Sequence, residues 1–121
     1  MTKRLRKQLP DVFTELPYAT KVRIESLTHG LLEHALRACD AASLIAQIHR
    51  IDVSKSKTAA LCHDLARQLK PDELIRQADI YNLAIHPVEY SNPILLHGPV
   101  AALWLEHEDG ITDHEILEAI R

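Results

Sequence analysis

The sequence predicts an all-α fold, on three observations. Only three glycines occur in 121 residues and aromatic residues make up 4%, which leaves little material for the turns and cross-strand pairs of a sheet-rich protein. Leu, Ala, Ile, Glu, Arg and Lys dominate, and most of these favour helix. Apolar residues recur at three- and four-residue spacing instead of alternating. With 46% hydrophobic and 26% charged residues the chain has the composition of an ordinary globular domain, one domain over 1–121, long enough to bury a core without disulfides.

Residues 1–20 mix charges with Pro10 and Pro17 and read as one or two short helices broken by turns. From about Lys21 a long amphipathic helix is expected, with Ile24, Leu27, Leu31, Ala38, Ala42 and Ile45 as its buried stripe. His34 falls on that stripe and is therefore expected to face the core, either as a hydrogen-bonded buried histidine or as a ligand. His29 and His49 read as surface or helix-end residues. This helix should stop near His49-Arg50, with Asp52 or Ser54 capping the next, which carries His63 and Asp64 and runs to about Gln68.

Pro71 with Asp72 and Glu73 marks a fresh helix start, and that helix should end near Ile80. Residues 81–93 read as a long loop, in which His86 before Pro87 is a solvated, extended residue. Gly98-Pro99 then suits a helix start, with Val100, Leu103 and Trp104 buried and His97 at the bend, where it can be aimed inward. His107 and His114 lie among acidic residues and should be solvated. A last helix opens with Thr112 as N-cap, Glu115 closing a capping box and Ile111 against Ile116; it carries no stop signal before Arg121, so the chain is expected to be cut short.

A formal net charge of −3 excludes the broad basic footprint of a nucleic-acid binder. The one basic tract, Lys3-Arg4-Leu5-Arg6-Lys7, reads as a solvated face. No apolar run is long enough to span a bilayer and none near Met1 resembles a signal peptide, so the expected location is the cytoplasm, without nucleic-acid or membrane partners. Cys39 and Cys62 are not a Cys-x-x-Cys pair and read as small buried hydrophobes.

The most informative stretch is Thr58-Ala59-Ala60-Leu61-Cys62-His63-Asp64-Leu65-Ala66, where an imidazole and a carboxylate stand side by side in an apolar helical run. An ionised aspartate in such a place must neutralise, pair with a cation or bind a metal, and a metal is the favoured reading. Adjacent helical residues point about 100° apart, so His63 and Asp64 reach one ion only if it lies between their directions. With His34 and His97 they form a plausible cluster whose imidazole–carboxylate chemistry suits manganese, iron, cobalt, nickel or zinc. No nucleophile elbow or Gly-rich phosphate loop is present.

The segments Glu33-His34-Ala35-Leu36-Arg37-Ala38, Ala59 to Arg67, Leu95-Leu96-His97-Gly98-Pro99-Val100-Ala101-Ala102 and Glu118-Ala119-Ile120-Arg121 resemble, in order and spacing, the HD-domain metal-dependent phosphohydrolases of the YqeK type. The resemblance implies an all-α HD bundle that cleaves diadenosine tetraphosphate symmetrically into two ADP, with water as the nucleophile. It implies metal ligands at His34, His63, Asp64 and His97, with one or two ions, iron or manganese foremost. Asp64 and Arg67 then carry the catalytic work, and Arg67 and Arg37 meet substrate phosphate. Arg67 stands where the family commonly has lysine, which keeps the charge and changes the geometry.

Past Arg121 the family continues to another histidine and a later aspartate ligand, so the domain is expected to be short at its C-terminus. The resemblance leaves open a nucleotidase acting on mononucleotides, a non-catalytic nucleotide-binding module, and a homodimer. A plain helical scaffold would have to treat four converging residues as coincidences.

Overall fold

Eight α-helices and two 3₁₀ turns follow one another without a strand in a computed structural model that describes residues 1–121. The N-terminal part is α1 (Lys3–Lys7), a 3₁₀ turn at Asp11–Glu15 and α2 (Tyr18–Glu25). In the basic tract only Leu5 is buried, so its charges do form a solvated face.

The expected long helix from Lys21 is two helices. α2 ends at Glu25 and α3 spans His29–His49, with a corner at Ser26-Leu27-Thr28. The corner changes the phase of the buried stripe. On α3 the buried residues are Leu32, Ala35, Leu36, Cys39 and Ala46, whereas Ile45 is 54% exposed. Ile24 and Leu27, used to set the phase, belong to α2 and the corner, and one residue of error rotates a helix face by about 100°. His34 is consequently exposed instead of facing the core.

α3 ends at Arg50, which takes the left-handed conformation (φ 55°), and Ile51 donates its N–H back to the Ala46 carbonyl (3.0 Å). Asp52 then caps α4 (Val53–Cys62), its Oδ1 accepting from Lys55 N–H at 2.9 Å. So short a connection folds α4 back along α3 as a helical hairpin.

The helix expected to run to Gln68 stops at Cys62. Residues 63–69 continue as tight turns held by i→i+3 bonds, among them Arg67 N–H to Asp64 O at 3.0 Å. Gln68 fixes this segment to the α2–α3 corner, accepting from Thr28 N–H and donating to Ser26 O, both at 3.3 Å.

α5 (Pro71–Ile80) starts and ends where its sequence signals lie. The expected loop over 81–93 holds a single-turn helix, α6 (Pro87–Ser91), because His86 acts as its N-cap: Nδ1 accepts from Val88 N–H while Glu89 accepts from the His86 N–H. A 3₁₀ turn at Pro93–Leu96 leads into α7 (His97–His107), which buries Val100, Leu103 and Trp104 together with three more residues of its middle. Trp104 Nε1–H donates to Gln77 on α5 at 2.9 Å.

α8 (His114–Ile120) is capped by Asp113, which accepts from Glu115 N–H at 3.0 Å, and not by Thr112. Its last turn lies across the start of α7. A Cβ on Gly98 would stand 2.6 Å from the Ile120 carbonyl oxygen, so that crossing requires glycine. No helix is long and apolar enough to cross a membrane.

Candidate metal centre

Three separate pieces of chain meet at one end of the α3–α4 hairpin. α3 supplies His34, the turns after α4 supply His63 and Asp64, and α7 supplies His97 at its first position. Because Cys62 is the last residue of α4, His63 and Asp64 leave the regular helix together, and their side chains converge: His63 Nε2 lies 3.3 Å from Asp64 Oδ2. His34 Nε2 is 3.2 Å from His63 Nε2 and 3.3 Å from the same Asp64 oxygen. The other carboxylate oxygen, Oδ1, faces His97 Nε2 at 3.2 Å. All four sequence-designated ligand candidates are thus brought to one place.

Two of the rings are held by the same local device. His63 Nδ1 is 2.6 Å from the carbonyl of Ala60, and His97 Nδ1 is 2.5 Å from the carbonyl of Ile94, in each case three residues earlier. A carbonyl oxygen can only accept, so Nδ1 carries the hydrogen, and Nε2 is the ring atom left to face the cluster. Sequence reading did not single out Ala60 or Ile94, because the contribution is a main-chain oxygen and carries no side-chain signature.

The consequence is electrostatic. The Nε2 atoms of His34, His63 and His97 and the two Asp64 oxygens face one another, an arrangement of electron-pair donors that a cation would satisfy. The spacing fits one: ligands about 2.1 Å from a common ion lie about 3.0–3.4 Å apart at octahedral to tetrahedral angles. His34, His63 and Asp64 each offer one donor atom, all within 4.8 Å of one another. Imidazole and carboxylate together make a donor set that metal ions take.

Burial grades across the cluster. The Asp64 side chain is 9% exposed, against 48% for His34, so the carboxylate anchors the floor and the histidines form an open rim. Arg67, one turn beyond Asp64, and Arg37, one turn beyond His34, are exposed, and neither side chain has a hydrogen bond or ion pair within the chain. Both remain free for an anion. His29, His49, His86, His107 and His114 are all exposed and none joins the cluster. Cys62, directly before His63, is buried with its thiol pushed up to about 12 by desolvation, and serves as packing.

Residues 31–121 match the HD domain family. The chain is 34% identical over 103 residues to the symmetrical bis(5'-nucleosyl)-tetraphosphatase of Staphylococcus aureus, covering 85% of this chain and 53% of that protein. To the protein of the same name in Bacillus subtilis it is 30% identical over 97 residues, covering 80% and 52%. Among solved structures, a predicted HD superfamily hydrolase involved in NAD metabolism from Clostridium acetobutylicum superposes with a TM-score of 0.78 at 28% identity, over 84% of this chain and 53% of that one. The chain therefore spans about half the length of the curated relatives it matches. With the family match covering three quarters of its residues, this chain belongs to the HD domain family.

Proposed function

We propose that this chain is the metal-binding part of a phosphohydrolase that cleaves a dinucleoside tetraphosphate symmetrically, diadenosine tetraphosphate giving two ADP. The observation that carries the proposal is the meeting of His34, His63 and Asp64 Oδ2 within 3.2–3.3 Å of one another, with His97 against Asp64 Oδ1 and with two of the rings holding Nδ1 to main-chain carbonyls. Relatives named as symmetrical tetraphosphatases support the substrate class.

In this reading His34, His63, Asp64 and His97 are ligands to one or two divalent ions, iron or manganese foremost. When bound, such an ion supplies an activated water at neutral pH, with a pKa lowered to about 7. The chain's own residues do the rest. Asp64, held low in the site with its two oxygens toward different histidines, fixes where the positive charge sits. Arg67 and Arg37, exposed and unpaired, offset the charge of the polyphosphate and orient it, Arg67 bidentately where lysine would act as a point charge. The location assigned to it is the cytoplasm, where nucleoside polyphosphates are found.

The test combines elemental analysis with product identification. Purified without chelator, the 121-residue chain is expected to carry one or two equivalents of transition metal and to convert diadenosine tetraphosphate to ADP alone. AMP and ATP as products, or hydrolysis of mononucleotides in preference, would replace this substrate assignment; absence of metal at any loading would remove the ligand assignment.

A further inference from the structure

One side chain outside the cluster joins the two pieces of chain that carry His34 on one side and His63 with Asp64 on the other. The Gln68 carboxamide accepts from the Thr28 N–H through Oε1 and donates to the Ser26 carbonyl through Nε2, both at 3.3 Å. Ser26 is the C-cap of α2 and Thr28 the N-cap of α3, on which His34 stands less than two turns further on. At the other end, Gln68 lies four residues after Asp64 in a segment held as one unit by i→i+3 bonds from Leu65 to Cys62, Arg67 to Asp64 and Leu69 to Ala66. Apart from the contacts of the cluster itself, the two bonds of Gln68 are the hydrogen bonds that join the corner and α3 to residues 63–69.

A metal centre makes that junction matter, because donor-to-ion distances hold to within about 0.2 Å. The side chains of a helix reach about 5–6 Å from its axis, so turning α3 by about 10° would carry the His34 ring about 1 Å along the rim of the cluster. Apolar packing resists such a rotation weakly, since it has no preferred direction. Leu27 in the corner and Leu65 in the turn are both buried and keep the two segments in the core without fixing the phase of α3. Hydrogen bonds do have direction. Gln68 engages main-chain groups at the start of α3, where the Thr28 side chain makes no cap, so the first turn of that helix is tied to the Asp64 segment instead.

We propose that Gln68 is a positioning residue of the metal centre: it sets the phase of α3 against the turn that carries His63 and Asp64, and so holds His34 Nε2 at 3.2–3.3 Å from both. This rests on reading those residues as ligands. Gln68 is exposed and uncharged and makes no hydrogen bond to any of the four, so its effect on the centre passes through the main chain alone. It also follows Arg67 directly, and thereby steadies the stretch of backbone from which that guanidinium reaches phosphate. Gln68→Met keeps the length and nearly the volume of the side chain while removing both bonds, which separates positioning from packing.

Calorimetric titration of the intact chain with manganese tests this, beside amide exchange and thermal melting of the metal-free chain. Gln68→Met is expected to weaken manganese binding by about tenfold, the lower end of what loss of an outer partner of a ligand costs. Its far-ultraviolet circular dichroism should match that of the wild type and its Tm should fall by no more than about 4 °C. The Thr28 amide, protected in the wild-type chain, should exchange faster in the variant. A purely structural bond would lower Tm and leave the affinity of the folded chain alone. Equal manganese affinity in the two proteins therefore overturns the proposal whatever the difference in Tm, as does a Thr28 amide that exchanges equally in both. A wild-type chain that binds neither manganese nor ferrous iron overturns the ligand reading beneath it, a failure told apart because the wild type, and not the variant, then departs from expectation.

Discussion

His34 and His63 meet ring edge to ring, Nε2 to Nε2 at 3.2 Å, although 29 residues separate them in the chain. Neither helix alone could produce this contact. It depends on the three-residue connection Arg50-Ile51-Asp52 that folds α4 back on α3, and on α4 ending at Cys62 so that His63 and Asp64 can turn toward α3 together.

Removing the carboxylate between the rings should therefore empty the centre without unfolding the chain. Asp64→Ala is expected to lower metal affinity by more than about 100-fold, since loss of a supporting outer partner alone typically costs 10–100-fold. Isothermal titration with manganese or iron measures this, with circular dichroism as the control for helicity. Metal retained at wild-type affinity would show that Asp64 is not a ligand.

A milder change tests the orienting carbonyls. Pro93–Leu96 presents the Ile94 oxygen to His97 Nδ1, so His97→Gln, which cannot keep both that bond and the ligand position, should weaken metal binding while His97→Ala does so at least as strongly. Equal binding by all three proteins would mean that His97 faces Asp64 without sharing an ion with it.

Gly98→Ala should destabilise the fold, against the usual helical preference for alanine. Replacing a helical glycine normally gains about 1 kcal/mol. Here the added Cβ would meet the Ile120 carbonyl at 2.6 Å, and main chain cannot move aside as a flexible side chain can. The expected net effect is a loss of about 1–3 kcal/mol, read as a fall in Tm of several degrees. An unchanged or higher Tm would show that α8 does not hold this crossing in solution.

Asp109 should be the costliest acidic residue to remove outside the centre. Its side chain is fully buried, accepts from Thr20 at 2.9 Å and holds Arg23 in a two-pronged pair at 3.0–3.2 Å, with the guanidinium also lying 4.6 Å from the centre of the Trp104 ring. Burial works against the Arg23 charge, and the Asp109 and Glu108 carboxylates together more than compensate, leaving the Arg23 pKa raised. Asp109→Ala strands that cation and should cost about 2–3 kcal/mol by urea denaturation, a value below that of a fully buried pair because Arg23 keeps some solvent contact. Arg23→Met with Asp109→Leu should recover much of the loss.

The Cys62 thiol, pushed up to about 12 by burial, should resist alkylation at neutral pH in the folded chain and react only as fast as the chain unfolds. Modification of Cys62 on the timescale of a model thiol would contradict its place in the core.

How much of this was legible in the sequence depends on how local each determinant is. Helix content, the start of α5 at Pro71, a cap for α4 at Asp52 or Ser54, the burial of Val100, Leu103 and Trp104, and the identity of His34, His63, Asp64 and His97 as the residues to watch were all readable, because composition, capping chemistry and motif spacing act within a few residues. The tertiary structure alone decided the break at residues 26–28, which put His34 on an exposed rim instead of in the core, and the end of α4 at Cys62, which let two adjacent side chains converge. It also decided that Asp64 would divide its oxygens between His34 with His63 on one side and His97 on the other. Those outcomes are set by packing between segments far apart in the chain, where one residue of helical phase turns a side chain by about 100°, and no local pattern records which phase the neighbours will accept.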